Sequence, residues 1–212
     1  MTNVSNAVDN RFVASLAKPG GNITGVTSQL EAVLGKLIEI LHEVVPRASR
    51  IAILLNESNP SHRAFWTGAQ SACAALNLVP LRVVASAPDQ LEAAIAQIVR
   101  EKAQAIVVVA DGMYLNVRAK LEVLLRATKL PAAYPFREHA VEGGLLSYAA
   151  DLPRNYRYAA TFVDKILKGA KSADLPVEQP TKFDLVINLK TAKALGITIP
   201  QSVLVRADEV IQ

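Results

Sequence analysis

The sequence predicts an α/β fold in which a parallel sheet carries helices on both faces, and three features of the chain indicate it. Residues 51–55 are five consecutive apolar residues between polar ones, which is typical of a strand buried on both faces. Residues 51–148 alternate between such strand segments and helix segments of ordinary length, which predicts right-handed βαβ units. Aromatic residues make up only 5% of the chain, so the predicted core is aliphatic and rich in alanine.

Individual helices and strands follow from the spacing of apolar residues along the chain. Residues 29–45 place apolar side chains on one helix face at three- and four-residue spacing, and Pro46 ends that helix. Further strands are predicted at 51–55, 79–84, 105–109, 131–134, 145–148 and 183–188. Further helices are predicted at 60–76, 89–101, 114–128, 153–168 and 189–195, with a last element at 204–211.

Composition and charge argue against several classes of protein. The formal net charge of +4 comes from Lys and Arg residues that alternate with acids, and no basic run is interleaved with aromatic residues, so nucleic-acid binding is not predicted. No apolar run approaches the roughly 20 residues that a membrane-spanning helix needs. The single cysteine, Cys73, excludes an internal disulfide and lies in a segment typical of a buried helix face. Residues 1–10 are polar and lack the apolar centre of an export signal.

The chain contains no recognisable pattern of a catalytic, cofactor or metal site. The glycines within 20–25 lack the spacing of a dinucleotide- or phosphate-binding loop, and no nucleophile–base set can be assembled. The three histidines have no metal-ligand spacing, so they are expected at the surface or at helix ends. They are His42, His62 and His139. The sequence therefore predicts no cofactor and no metal ion, and it favours binding over catalysis.

The loop that follows the predicted strand 51–55 is the first candidate binding segment. Asn56, Ser58 and Asn59 lie just before the helix 60–76, at the carboxyl edge where open α/β sheets bind ligands. Free amides at a helix N-terminus and short polar side chains suit a carboxylate or a hydroxyl group. The alternative is that these residues only cap the helix.

A second candidate segment follows the predicted strand 105–109 at the same sheet edge. Asp111 could pair with the ammonium group of a ligand, or it could serve only as a turn residue. Tyr114 could supply an apolar face with a polar tip.

The end of the predicted strand 131–134 is the third candidate. Tyr134 and Phe136 are two aromatic residues in a chain that has few, so they suggest a stacking wall for a ligand, although they could equally fill the core. Arg137 could meet a ligand carboxylate or pair with Glu138 at the surface.

Two stretches of the chain resemble a known family. Residues 18–26, Lys-Pro-Gly-Gly-Asn-Ile-Thr-Gly-Val, resemble a signature of bacterial ABC-transporter substrate-binding proteins, in the group that includes tryptophan- and tyrosine-type uptake components. The long tail at 175–196 and the closing residues 206–211 resemble the same family. The resemblance covers almost the whole chain, and the tail motif is specific.

The resemblance implies the type I periplasmic-binding fold, in which two α/β lobes enclose a ligand cleft and the chain crosses between them about three times. Linker-like crossings are expected near 23–28 and 149–152. On this basis 1–28 would be a remnant of the first lobe with the first crossing, 29–149 a near-complete ligand-binding lobe, and 150–212 a return segment to the first lobe. Ser147 and Tyr148 would then lie near the cleft, although they could equally serve packing at the hinge.

The resemblance also implies a function, with expectations about partners and location. The chain would be a non-enzymatic solute-binding component of an importer that captures an amino acid or related compound and docks on an ABC permease outside the cytoplasm. Family members carry an export signal and a longer N-terminal part, so this chain would lack most of the first lobe, and homodimerisation would be one compensation. The alternatives are a cytoplasmic effector-binding or sensory domain of the same fold, and an α/β enzyme.

Overall fold

The computed structural model of the protein describes residues 1–5, 7–8, 10–28 and 30–212. The chain forms two compact units. The first comprises Met1–Leu30 and Ala150–Phe183, and the second comprises Glu31–Ala149 and Asp184–Gln212. The chain therefore passes from one unit to the other three times, after residues 30, 149 and 183.

The second unit is built on a seven-stranded sheet. The strands are β3 (Arg50–Leu55), β4 (Val79–Val84), β5 (Ala105–Val108), β6 (Ala132–Tyr134), β7 (Leu146–Ala149), β8 (Asp184–Asn188) and β9 (Glu209–Ile211). Their order in the sheet is β4-β3-β5-β6-β7-β8-β9. Strands β3 to β7 are parallel, β8 is antiparallel to β7, and β9 is parallel to β8. The predicted α/β fold with a mainly parallel sheet is confirmed.

Helices connect and accompany these strands. They are α1 (Leu30–Val44), α2 (His62–Ala75), α3 (Leu91–Arg100), α4 (Gly112–Asn116), α5 (Arg118–Thr128), α6 (Arg137–Glu142), α8 (Leu189–Ala194) and α9 (Gln201–Leu204), and a single 3₁₀ turn at Pro88–Gln90 leads into α3. The segment predicted as one helix at 114–128 forms two helices that meet at Val117, and Asp111 caps the first of them, which begins at Gly112.

The core of the second unit lies between the sheet and its covering helices. The apolar run 51–55 is completely or almost completely buried, as its uninterrupted pattern predicts for a central parallel strand. One core cluster joins β3, β4 and β5 to α3 and α5 through residues such as Leu54, Leu91, Ile98 and Leu121. Each such side chain contributes about 1.5–3 kcal/mol when it is removed from water, so this cluster fixes where the strand ends lie.

The first unit is smaller. It contains a two-stranded parallel sheet, β1 (Thr2–Val4) with β2 (Val26–Thr27), and the helix α7 (Leu152–Leu167), followed by a 3₁₀ turn at Ser172–Asp174. The two motif segments lie side by side here: the Thr24 hydroxyl donates to the Leu175 carbonyl at 2.7 Å, and the Glu178 amide donates to the Gly25 carbonyl at 2.9 Å.

The placement of residues 184–212 differs from the expectation that all of 150–212 returns to the first unit. In the structure Asp184–Gln212 belongs to the second unit. The reason is that β8 pairs with β7 from Leu146–Ile187 to Ala149–Asp184, and β9 then adds to β8. The element predicted at 204–211 is the end of α9 followed, after a turn, by β9.

Candidate functional site

The carboxyl ends of the parallel strands bring two polar loops together in the second unit. Because β3 and β5 are neighbours in the sheet, the loop that follows β3 lies beside the loop that follows β5. Four side chains from these loops and from the start of α2 form one hydrogen-bonded network. They are Asn56, Asn59, His62 and Asp111.

Asp111 is the centre of this network. Its Oδ1 accepts from the Met113 amide at 2.8 Å and from Asn56 Nδ2 at 3.2 Å. Its Oδ2 accepts from Asn59 Nδ2 at 2.9 Å and lies 3.2 Å from His62 Nε2. Burial by itself raises the pKa of Asp111, but the hydrogen bonds from His62, Asn59, Met113 and Asn56 outweigh it and lower the pKa to about 2. The carboxylate is therefore ionised and satisfied by donors of the protein itself.

His62, the first residue of α2, links both loops from a buried position. Its Nδ1 accepts a hydrogen bond of 2.9 Å from the Asn56 amide. A nitrogen that accepts carries no hydrogen, so in the neutral ring the hydrogen is assigned to Nε2. That Nε2 lies 3.3 Å from the Ala110 carbonyl and 3.2 Å from Asp111, so it can donate to either oxygen.

The two asparagines also shape the loop itself. Asn56 Oδ1 accepts from the Ser58 amide at 3.0 Å, and Asn59 Oδ1 accepts from the Ser61 amide at 3.1 Å. Both are turns in which a side-chain oxygen accepts from an amide two residues on. Asn56 is buried and Asn59 half-buried, whereas Ser58 is exposed at the tip. The loop is thus held from within, and it presents Ser58 and part of Asn59 to solvent.

A pocket of about 510 Å³ opens beside this loop within the second unit. Its lining residues are Leu55, Glu57, Asn59, Pro60, His62, Arg63 and Arg82. Arg82 pairs with Glu57 at 2.7 Å, and its guanidinium lies 5.6 Å from the centre of the Trp66 ring. The pocket therefore combines one carboxylate and two guanidinium groups with amide and imidazole side chains.

Tyr114 and Tyr134, predicted as parts of a ligand surface, lie in the core instead. Tyr114 is completely buried, and its hydroxyl donates to the Ala85 carbonyl at 2.8 Å. Tyr134 is equally enclosed, and its hydroxyl donates to Glu122 at 2.8 Å while its ring stacks on His139 at 4.8 Å. Burial, together with the nearby Glu122 carboxylate, raises the pKa of Tyr134 well above its ordinary value. Both rings fill the core, because their polar ends find partners inside it.

The remaining predicted site residues are not part of the Asp111 network. Arg137, at the start of α6, makes two hydrogen bonds to the Glu209 carboxylate at 2.6 and 2.7 Å, so the pairing with Glu138 that the sequence suggested is replaced by a partner on β9. This contact with Arg137 lowers the pKa of Glu209. On β7, Ser147 is buried and Tyr148 is half-buried.

Sequence reasoning missed the role of two histidines. His62 and His139 are buried, although both were expected at the surface or at helix ends; His62 does begin a helix, but its ring is enclosed. His139 Nδ1 lies 3.4 Å from the buried Glu122 carboxylate. The one local hint for His62 is that it lies six residues after Asn56. This spacing alone does not show that the ring accepts the Asn56 amide.

Among the residues that the structure describes, no group of three or more His, Cys, Asp or Glu side chains is placed to hold a metal ion. None of the described helices is long and apolar enough to cross a membrane. Burial raises the pKa of Cys73, the one cysteine, to about 11.

Comparison with known proteins links this chain to one family and to several solved structures. A family model described as ABC transporter substrate binding protein matches residues 1–211. A tyrosine-binding protein of Clostridioides difficile (strain R20291) is 24% identical over 197 residues, which cover 93% of this chain and 56% of that protein. The chain thus spans little more than half the length of this curated relative.

The solved structures that are similar over the whole chain include two bacterial proteins. A conserved domain protein from Vibrio cholerae has a TM-score of 0.89 at 26% identity, and the aligned part covers 99% of this chain and 70% of that protein's chain. The ABC domain of Streptococcus pneumoniae in complex with L-Trp has a TM-score of 0.89 at 26% identity, and the aligned part covers 100% of this chain and 72% of that domain's chain.

Proposed function

Because the chain belongs to the ABC transporter substrate-binding protein family, we propose that it acts in solute import and binds an amino-acid-like small molecule. The observation that carries this proposal is the similarity, over the whole chain, to a domain solved in complex with L-Trp. The tyrosine-binding relative supports the same class of ligand. L-Tryptophan and L-tyrosine are accordingly the first ligands to test.

We place the contacts of the second unit with this ligand on the loop after β3. Ser58 is exposed and Asn59 half-buried, so a hydroxyl and an amide are available to a carboxylate or an ammonium group. The adjoining pocket adds the Glu57 carboxylate and the Arg63 guanidinium, which suit the two charges of a free amino acid. Asp111 would hold the loop in place, because its oxygens already accept hydrogen bonds from Asn56, Asn59 and Met113 and lie beside His62 Nε2.

The proposed activity is binding without chemical conversion, since the family is one of binding proteins. The partner proposed with it is an ABC permease, and the proposed location is outside the cytoplasm. No cofactor is required for the binding step. Selectivity would come from polar groups that must find partners in the ligand when they are buried.

The test is a calorimetric titration of the purified chain with L-tryptophan, L-tyrosine and the other common amino acids. Thermal unfolding with each ligand present is the second measurement. One ligand should give a saturable heat and, at 100 times its Kd, should stabilise the fold by about 2.7 kcal/mol. Asn59→Ala should weaken that binding, and Asp174→Asn, an exposed acid on the 3₁₀ turn of the first unit, serves as the control variant. Turnover of a bound ligand, or no saturable response across the whole panel, would contradict the proposal.

A further inference from the structure

We infer that His62 is a positioning residue for the proposed binding loop, defined here as Asn56–Asn59, and that it acts through the unprotonated state of Nδ1. This inference rests on the proposed function and deepens it, because it identifies what holds the loop in its binding geometry. His62 itself is buried, so its effect on a ligand passes through the residues it holds.

The geometry gives the two ring nitrogens separate tasks. Nδ1 accepts the Asn56 amide at 2.9 Å and so fixes the point where the chain leaves β3. Nε2, 3.2 Å from Asp111 and 3.3 Å from the Ala110 carbonyl, fixes the ring to the loop after β5. The Phe65 ring meets the imidazole edge-on at 5.4 Å and limits its rotation. One side chain thus joins β3, α2 and the end of β5.

The Asn56 amide depends on this one acceptor. It is a backbone donor at a buried residue, and the bond to Nδ1 is the one that satisfies it in the described structure. A buried amide left without an acceptor is costly, so the loop must either move to reach water or remain strained. The other ties of Asn56, from its side chain to Asp111 and to the Ser58 amide, do not replace this bond.

Two substitutions separate the tasks of the two nitrogens. In His62→Asn the side-chain oxygen can occupy the place of Nδ1 and accept the Asn56 amide, while the reach to Asp111 is lost. In His62→Gln the terminal amide can reach Asp111, while no acceptor occupies the place of Nδ1. We expect His62→Asn to retain the loop geometry and His62→Gln to lose it.

The first readout is independent of any ligand. Amide hydrogen exchange at Asn56 and Ser58, measured by NMR, should be about tenfold faster in His62→Gln than in the wild type and in His62→Asn. The reason is that His62→Gln removes the acceptor of the Asn56 amide, which holds this loop. The same spectra report the tautomer: the imidazole of the wild type should carry its hydrogen on Nε2.

The second readout is ligand affinity with L-tryptophan and L-tyrosine as probes. His62→Gln should weaken binding by about tenfold, and His62→Asn should restore most of it. A role in general stability would not divide the variants in this way, because each loses one of the two polar links of the ring.

The outcomes separate this inference from the proposed function. If the wild type binds neither probe nor any other amino acid, the proposed function fails, and the exchange data still decide whether His62 holds the loop. If the wild type binds a probe but hydrogen exchange and affinity are equal in the wild type, His62→Asn and His62→Gln, the positioning role is overturned. Equal losses in both variants would overturn the role of Nδ1 in particular.

Discussion

The ring of Tyr134 lies directly against Gly144, so closely that a Cβ atom at residue 144 would be 2.5 Å from Cε2 of Tyr134. The same Cβ would be 2.9 Å from the His139 carbonyl oxygen. The ring cannot easily move away, because its hydroxyl is bound to Glu122 and its face is stacked on His139. The close approach of β6 and the end of α6 therefore requires a glycine here.

Gly144→Ala should destabilise the protein by about 2 kcal/mol, because the added methyl group forces a shift of a buried ring or of the backbone. Gly68→Ala is the matched control. Gly68 lies inside α2, and a Cβ there would meet no atom within 4 Å, so alanine should stabilise by about 0.5–1 kcal/mol through helix propensity. Urea denaturation measures both. Equal stability of Gly144→Ala and the wild type would show that the ring is not tightly packed.

Tyr134→Phe tests the buried polar end of the same ring. The substitution keeps the ring and removes the hydrogen bond to Glu122, whose carboxylate is buried, so the expected loss is about 1–3 kcal/mol in the free energy of unfolding. Tyr156→Phe removes a hydroxyl from an exposed ring on α7 and should change stability by no more than about 0.5 kcal/mol. Similar losses in the two variants would contradict a specific role for the Glu122 contact.

The fold could be predicted from the sequence mainly where a pattern is long or uninterrupted. The five apolar residues at 51–55 locate β3 to within one residue, because a short apolar run between polar residues is typical of a strand covered on both faces. The same reasoning placed Asn56 and Asp111 at one sheet edge, and the structure joins their side chains by a hydrogen bond.

Other features depend on contacts that are distant in sequence. The partners of His62 include Ala110 and Asp111, about fifty residues away along the chain. No local pattern shows that these residues contact Nε2 of the ring and not Nδ1. Tyr134 ends a strand of three residues, which is too short for alternation to show whether its ring points into the core. The return of β8 to the second unit follows from its pairing with β7 across the whole 150–183 segment.

The ion pair between Arg137 and Glu209 should behave as a structural link from α6 to β9. Its two hydrogen bonds are short, but the side chains are 56% and 37% exposed, so a double-mutant cycle with alanine should give a coupling energy of about 0.5–1 kcal/mol. The coupling should shrink at high salt because exposed charges are screened. A loss of ligand affinity in Arg137→Ala, with no coupling to Glu209, would instead assign this arginine to the ligand.

Helix α7 carries exposed apolar side chains through which the chain could associate with a second copy of itself. Tyr156, Val163 and Leu167 lie on one side of the helix and are 61%, 56% and 82% exposed. Such a stripe is typical of a contact surface, so Leu167→Glu should reduce concentration-dependent self-association measured by sedimentation. Thr161→Glu adds the same charge to an exposed position off the stripe and should leave association unchanged. A wild type that stays monomeric at all concentrations would exclude this surface as a dimer contact.

Asp111 should make stability depend on pH in the acid range. Its pKa is about 2 in the folded protein against an ordinary value of 3.8, so the unfolded chain takes up the proton first as the pH falls. The contribution of the ionised carboxylate, about 2 kcal/mol, is fully present above that ordinary value and is lost between about pH 4 and pH 2. Asp111→Asn should lose a similar amount at neutral pH, since its amide group would face the donors of Asn59 and His62, and its unfolding free energy should fall less steeply on acidification. Asp89→Asn, at an exposed acid beside α3, should keep the slope of the wild type. Urea denaturation at several pH values measures these slopes, and parallel curves for Asp111→Asn and the wild type would mean that the donors around Asp111 do not favour its ionised form.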